Sequence, residues 1–289
     1  MSTAGTDVSV GGRTAGGVLG ALAGRGQRRT VLTTAAPRHV WLWRAAVWGG
    51  LLVLWQVAAW LSGPFYLPTI PSVLVDGLGT VVRDGYLLTF AQSLRQLLVG
   101  FVVACAIGIP AGVLMGSSKV VRDLLSPYVN TLFVTPTEAL LPMIIIMFGT
   151  GLEYRVVVVV LFAFFFPLLN SAAGVAAIDR HLLETARAFC TPRWRVFRHI
   201  LLPAAGPYVV AGVRLGLGMA LKGMVIAEMW VTFGTGGLLK NLGAYRQLDV
   251  YFALGLLIVV TAVVVNSALA AYERHLRPWQ RGTIGKGAA

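Results

Sequence analysis

Long apolar runs recur along this chain, and they constrain its fold more than any other feature. Each run approaches the ~20 residues that an α-helix needs to cross the hydrocarbon core of a bilayer. The runs are continuous rather than alternating, which is typical of helices and not of membrane strands. They lie at residues 41–61, 97–115, 128–148, 156–172, 207–231 and 251–271. The sequence therefore predicts an all-α integral membrane protein with six transmembrane helices.

Composition excludes two other classes of protein. Of the 289 residues, 57% are hydrophobic and 12% are charged, which is about half the charged share of a soluble protein. A soluble enzyme could not bury so much apolar surface, and a disordered protein would contain far less of it. The net charge of +13 raises the question of a nucleic-acid partner. The basic residues, however, lie between and outside the apolar runs, as in loops that face anionic lipid. We therefore expect membrane lipid as a partner and no nucleic-acid partner.

The distribution of Lys and Arg also predicts the orientation and the domain organisation. Most of these residues lie on the side that holds both ends of the chain and the longest loop, and this side is cytoplasmic by the positive-inside rule. We expect a multi-pass protein of a bacterial plasma membrane with both termini in the cytoplasm. Its parts would be a flexible tail at 1–39, a transmembrane domain at 40–275 with a loop at 176–206, and a C-terminal tail at 276–289.

The loop at 176–206 predicts two short helices. Apolar residues recur at helical spacing between residues 182 and 189, and Thr191-Pro192 ends that pattern. A second short helix should run from 193 to 200 and end at Leu202-Pro203. On periodicity alone, the first helix fits two interpretations. It could lie on lipid headgroups, or a peripheral protein could dock on it.

The spacing of particular residues in this loop resembles the EAA loop of ABC-importer permeases of the binding-protein-dependent type. In that family the loop reads E-A-A, three residues, Gly, nine residues, I-x-L-P. Two positions depart from the pattern, because Thr185 replaces Ala and Cys190 replaces a Gly that ends the helix in a left-handed conformation. By resemblance, the residues that couple the loop to an ATPase are Glu184, Thr185, Ala186, Cys190, Ile200, Leu202 and Pro203.

Further segments, in the same order as in the family, resemble its nitrate/sulfonate/taurine branch. They lie at residues 67–71, 93–95, 100–101, 108–112, 148–151, 212–214, 227–228 and 235–238. The resemblance implies the type I ABC importer fold and a homodimer with two ATPase subunits and an extracytoplasmic substrate-binding protein. It also implies a small anion as substrate, of the sulfonate, taurine, nitrate or aromatic carboxylate type.

We find no catalytic, cofactor-binding or metal-ligating motif in the sequence. Residues 282–286 lack the first glycine of a phosphate-binding loop, and neither HExxH nor GxSxG is present. Cys105 and Cys190 form no metal framework. We therefore expect a transport subunit and not an enzyme, with ATP and Mg held by the partner ATPase subunits.

Charged residues inside the predicted spans need partners or water, and they are candidates for a translocation pathway. The candidates are Glu138, Arg214, Lys222 and Glu228. Lys222 could line the pathway or form an ion pair. Glu138 is the better partner, because residues 222 and 228 of one helix are about 120° apart in projection.

Two other functions remain open from the residues alone. An ion-gradient-driven secondary transporter could use Glu138, Lys222 and Glu228 as a proton relay. A membrane receptor or scaffold could use the loop only to hold a partner.

Glycines at four-residue spacing, at 108, 112 and 116 and again at 212 and 216, predict close helix packing.

Overall fold

Every regular element in residues 39–276, the part of the chain that the computed structural model describes, is a helix. The predicted tails lie outside this range, apart from residues 39 and 276. The helices are α1 (His39–Ser62), α2 (Ile70–Ser72, a π-helical turn at Val73–Gly77, and Leu78–Arg83), α3 (Tyr86–Ser117), α4 (Lys119–Val134), α5 (Leu141–Phe148), α6 (Leu152–Ala176), α7 (Arg180–Ala188), α8 (Arg193–Val196, a π-helical turn at Phe197–Leu201, and Leu202–Val231), α9 (Gly234–Ala244) and α10 (Leu248–Leu276).

In the described part of the chain, helix α1 is divided between two units, residues 39–53 and residues 54–276. In the first unit, the described part of α1 exposes large apolar side chains, with Trp41 at 75% and Trp43 at 72%. Such a surface is typical of a helix in contact with lipid. In the second unit, the end of α1 holds the loop before α2, because Trp55 Nε1 donates a hydrogen bond to the carbonyl oxygen of Pro68 at 3.0 Å.

The third predicted span, at 128–148, is not one continuous helix. It divides into α4 and a helical segment at Thr137–Phe148, with a 90° bend between them. Thr135 and Pro136 are extended, because a proline disfavours the helical conformation in the preceding residue and has no N–H to donate. Residues 39–276 therefore hold five helices long and apolar enough to cross a membrane, or six if the bent pair is one span.

Three long helices, α3, α6 and α8, form the centre of the bundle. Their shared core includes Leu97, Ala104, Ala163 and Leu217, all almost fully buried. The predicted close packing of glycines is confirmed. A methyl group on Gly108 would lie 2.9 Å from the backbone oxygen of Phe164, and a methyl group on Gly112 would overlap the backbone oxygen of Leu168.

A second core joins helices α2, α9 and α10. Its buried members are aliphatic and include Val81, Leu242 and Leu254. Tyr251 and Phe252 pack at its edge. The turn that leads from α9 into α10 contains Arg246, which is left-handed with a φ of 57°. This core fixes the position of α9, which covers one end of α8.

The predicted loop helices are present, but the second does not end where we expected. Helix α7 ends at Ala188, close to the expected end before Thr191. The second helix instead continues through Leu202 and Pro203 into the long apolar helix, so that α8 reaches Val231. Pro203 has no N–H, but the preceding turn adapts, since the N–H of Leu202 bonds to the oxygen of Phe197 in π-helical register.

Candidate functional site

The end of helix α7 forms a tight turn with a left-handed residue. Cys190 has a φ of 52°, which confirms the predicted conformation. Its N–H donates to the oxygen of Arg187 at 2.9 Å, and the N–H of Thr191 donates to the oxygen of Ala186 at 3.0 Å. These two bonds form a Schellman motif. The turn therefore keeps the geometry that glycine favours, although cysteine occupies it.

The two faces of α7 differ in what surrounds them. Glu184 and Thr185 are exposed, and the carboxylate of Glu184 lies 3.7 Å from His181 Nδ1. Ala186 lies on the other face and is 7% exposed. Of these loop residues, Glu184 and Thr185 are thus available to another protein, whereas Ala186 packs against its own chain.

The second half of the loop is anchored by residues other than those of the family pattern. Leu202 and Pro203 are exposed and Ile200 is half-buried. Phe197 and Leu201 pack instead against a buried cluster that contains Val175. The sequence pattern did not indicate this anchor.

At the opposite end of α8, a buried carboxylate caps the next helix. Glu228 is 1% exposed, and its Oε2 accepts a hydrogen bond from the N–H of Gly236 in the first turn of α9 at 2.9 Å. A carboxylate at a helix N-terminus is favoured by the free N–H groups and by the helix dipole. Gly234 leaves space for this carboxylate, since a methyl group there would overlap Glu228 Oε1.

Helix α3 contributes a hydroxyl group to the same helix N-terminus. Ser93 is fully buried, and its Oγ accepts hydrogen bonds from the N–H of Thr235 at 3.1 Å and from Thr235 Oγ1 at 3.0 Å. Ser93 Oγ in turn donates to the oxygen of Thr89 at 3.1 Å. Glu228 and Ser93 therefore fix the start of α9 from two different helices.

Arg155 of helix α6 completes this group of buried polar residues. It is 9% exposed, its Nε donates to the oxygen of Gly151 at 3.1 Å, and its Cζ lies 4.1 Å from the ring centroid of Phe233. Its charge interacts favourably with that of Glu228. Arg155 Nη1 and Glu228 Oε1 are both buried without a hydrogen-bond partner among the described residues. We call Ser93, Arg155, Glu228 and Thr235 the buried polar cluster.

The other candidate charges are Arg214, Glu138 and Lys222, and within residues 39–276 they form no ion pair with one another. Arg214 pairs with Glu273 of α10 at 3.2 Å. Glu138 is exposed in the short turn between α4 and α5, and Lys222 is exposed on α8. Neither forms an ion pair in the described part of the chain. The described residues of one chain thus contain no ion pair between Lys222 and Glu138, and no hydrogen bond within residues 39–276 links Glu138, Lys222 and Glu228 into a proton relay.

The sequence pattern indicated part of the buried polar cluster and not the rest. It selected Glu228, and it assigned Ser93 and Thr235 only to family segments. The cluster also contains Arg155, which was not among the candidate residues and lies in the first turn of α6. A signal was present, because an arginine that begins a long apolar run, four residues after Gly151, lies close to the membrane interior and needs a partner.

Comparisons with known proteins identify the family to which the chain is similar. Residues 108–279 match the family described as binding-protein-dependent transport system inner membrane component. Over 238 residues the chain is 31% identical to the taurine transport system permease protein TauC of Escherichia coli (strain K12), with 79% of this chain and 86% of TauC covered. Over 252 residues it is 28% identical to the putative aliphatic sulfonates transport permease protein SsuC of Bacillus subtilis (strain 168), with 86% and 91% covered.

The fold is similar to that of a solved transporter chain. A chain of the MetNI methionine ABC transporter, solved in inward-facing conformations, superposes with a TM-score of 0.57 at 23% sequence identity. The superposition covers 69% of this chain and 97% of the MetNI chain. At this level of identity the comparison supports the type I ABC importer fold.

Proposed function

Because the chain belongs to the family of binding-protein-dependent transport system inner membrane components, we propose that it carries a small anion across a bacterial plasma membrane. The chain is a membrane-embedded permease component of an ABC importer. The relatives named for taurine and for aliphatic sulfonates favour an anion of the sulfonate or taurine type. Nitrate and aromatic carboxylates belong to the same chemical class of small anions.

One observation in the structure supports an anion as the substrate. Lys222 lies in the apolar helix α8, is exposed on the single chain, and forms no ion pair within residues 39–276. A charge at such a position is costly unless it faces water or an opposite charge. A pathway between two copies of the chain would supply the water, and a passing anion would supply the charge.

The proposed partners are two ATPase subunits, an extracytoplasmic substrate-binding protein and a second copy of this chain. The exposed face of α7 with Glu184 and Thr185 supports docking of an ATPase on the loop. ATP and Mg would be bound and used on those partner subunits, and this chain would perform no covalent chemistry. It would supply two conformations, and ATP binding by the partners would change their relative stability.

The orientation that goes with this function has both termini in the cytoplasm. The basic residues of the two tails, 1–39 and 276–289, and of the loop at 176–206 support it. The transmembrane domain at 40–275 would then turn α7 towards the ATPase. The buried polar cluster would lie at the extracytoplasmic end, where the binding protein delivers its substrate.

Uptake by proteoliposomes tests the proposal. The full-length chain is reconstituted with its ATPase, and uptake of labelled taurine, an alkanesulfonate, nitrate and benzoate is measured with the binding protein on the outside. We expect ATP-dependent uptake of at least one anion. Lys222→Met should slow that uptake more than tenfold without lowering assembly, whereas Lys222→Arg and the exposed control Lys240→Met should retain most of it.

Two results would contradict this proposal. ATP-independent uptake driven by an imposed proton gradient would favour a secondary transporter. Full anion uptake by Lys222→Met would remove this lysine from the pathway and with it the observation that favours an anion.

A further inference from the structure

A cleft of about 1060 Å³ lies between α7 and the adjoining ends of α3, α6 and α8. We propose that this cleft binds an anionic phospholipid. The side chains of Lys119 and Arg187 would hold the phosphate of its headgroup, and apolar side chains deeper in the cleft would contact its acyl chains. Leu183 and Arg187 of α7 line the cleft, and Glu184 does not.

The polar part of the cleft is suited to an anion. Lys119 and Arg187 line it together with the hydroxyl groups of Ser117, Ser118 and Thr191, and none of the described side chains that line it is acidic. The two ion pairs recorded for residues 39–276 are His181–Glu184 and Arg214–Glu273. Both cations in the cleft are therefore without a carboxylate partner in this part of the chain, and a phosphate would satisfy them with charge-assisted hydrogen bonds.

The remaining lining is apolar, which distinguishes a lipid from a free anion. It includes Val175, Ile178, Leu183, Phe197 and Leu201. Trp194 stacks on Phe197 with ring centroids 5.7 Å apart and is 65% exposed. Tryptophan is enriched where acyl chains meet headgroups. An amphipathic anion would thus contact both parts of the lining.

The depth of the cleft agrees with this assignment. Its walls are the last turns of two long apolar helices, which end at Ser117 and Ala176. The ends of membrane-spanning helices lie at the level of the lipid headgroups. The volume exceeds the roughly 300–1,000 Å³ of ordinary ligand pockets, so a headgroup with the first part of its chains has room. The inference requires only that the bundle spans a membrane, and it does not depend on the proposed substrate.

Cys190 provides a reporter, because it lines the cleft and is exposed. The full-length chain contains one other cysteine, Cys105, which is replaced by alanine. The chain is placed in nanodiscs of phosphatidylglycerol or of phosphatidylcholine, and the rate of maleimide labelling of Cys190 is measured. A second reporter on the exposed side of α7, Ala188→Cys with Cys190→Ala, corrects for the effect of the charged bilayer on thiol reactivity.

We expect phosphatidylglycerol to slow the labelling of Cys190 relative to the Ala188→Cys reporter, by about fivefold for each cation that holds the phosphate. Lys119→Gln/Arg187→Gln should label at the same relative rate in both lipids. Arg83→Gln/Lys240→Gln removes two exposed cations outside the cleft and should behave like the parent chain. Native mass spectrometry should find phosphatidylglycerol retained by the parent and lost from the cleft variant.

The proposal fails if the two lipids give equal relative rates in the parent chain, a result that needs no variant to fold. It also fails if the slowing persists in Lys119→Gln/Arg187→Gln. A further control adds inorganic phosphate to phosphatidylcholine nanodiscs. If it protects Cys190 from labelling to the same degree as phosphatidylglycerol, the cleft is a site for a free anion and the lipid assignment is wrong.

Discussion

Glu228 illustrates how a single charged residue can be kept inside a membrane helix bundle. Its carboxylate receives one N–H from the start of α9 and interacts with the charge of Arg155 from α6. The two side chains form no direct ion pair, but neutralising one of two opposite buried charges leaves the other without compensation. The two residues should therefore depend on each other for stability.

Glu228→Gln and Arg155→Met should each lower the free energy of unfolding by about 3–5 kcal/mol. The double variant should lose clearly less than the sum, because no unpaired charge remains. Thermal unfolding of the purified chain measures these values. Glu153→Gln, an exposed carboxylate in the same turn of α6, serves as the control and should be neutral. Additive losses in the double variant would show that the two charges do not interact.

Cys190 allows a second prediction at this scale. A non-glycine residue in the left-handed region costs roughly 1–2 kcal/mol, so Cys190→Gly should leave stability unchanged or raise it by up to about 1 kcal/mol. Phe189→Gly, one residue earlier with a φ of −84°, should instead be destabilising. Melting temperatures of the two variants decide the matter. A fall for Cys190→Gly would mean that the cysteine side chain itself stabilises the turn.

Among the helices, the contact between α6 and α8 depends on residues without side chains. A methyl group on Gly212 would lie 2.7 Å from Asn170 Cβ and 2.8 Å from the backbone oxygen of Phe166. Backbone atoms of a neighbouring helix cannot move aside independently. The two helices therefore approach closely only while this position remains glycine.

Gly212→Ala should separate the two helices. We expect it to destabilise the bundle by about 1–3 kcal/mol, the typical cost of overpacking a core. Gly218 of the same helix meets nothing within 4 Å, so Gly218→Ala should be neutral or stabilise α8 by up to about 1 kcal/mol. Expression level and thermal unfolding compare the two. Equal behaviour of the pair would contradict the packing argument.

The same elements show what sequence alone can and cannot predict. Apolar runs and helical spacing predicted α6, α7 and the apolar part of α8 because these signals are local. The capping of α9 was not predictable, since Ser93 and Thr235 are 142 residues apart. The local sequence around either residue does not indicate the contact with the other. Pro136 by itself indicates a break in the helix, but the 90° angle of the bend depends on how α5 packs against α6, which spacing does not encode.

At the scale of the whole molecule, the proposed function requires the loop to transmit a change from outside the bundle to its interior. Glu184 lies on the exposed face of α7, and α7 is joined through the Cys190 turn to the start of α8. A partner that binds Glu184 therefore acts on a helix that extends to the buried polar cluster.

Glu184→Arg should abolish ATP-dependent uptake and weaken the association with the ATPase by more than tenfold, while the chain still inserts into the membrane. Asp84→Arg, an equal charge reversal at an exposed site outside the loop, should leave both unchanged. Co-purification of the ATPase and uptake assays give the two readouts. Wild-type association together with full uptake would exclude Glu184 from the docking face.

Helix α8 is continuous over the 38 residues from Trp194 to Val231, which corresponds to a length of about 57 Å at 1.5 Å per residue. This is nearly twice the ~30 Å thickness of the hydrocarbon core, so a helix of this length that crosses the bilayer directly would extend beyond the core. A tilt of about 5° at one end displaces the other by about 5 Å, a full helical turn's rise. A small displacement of the loop is thus sufficient to reposition Glu228 and the helix that it caps.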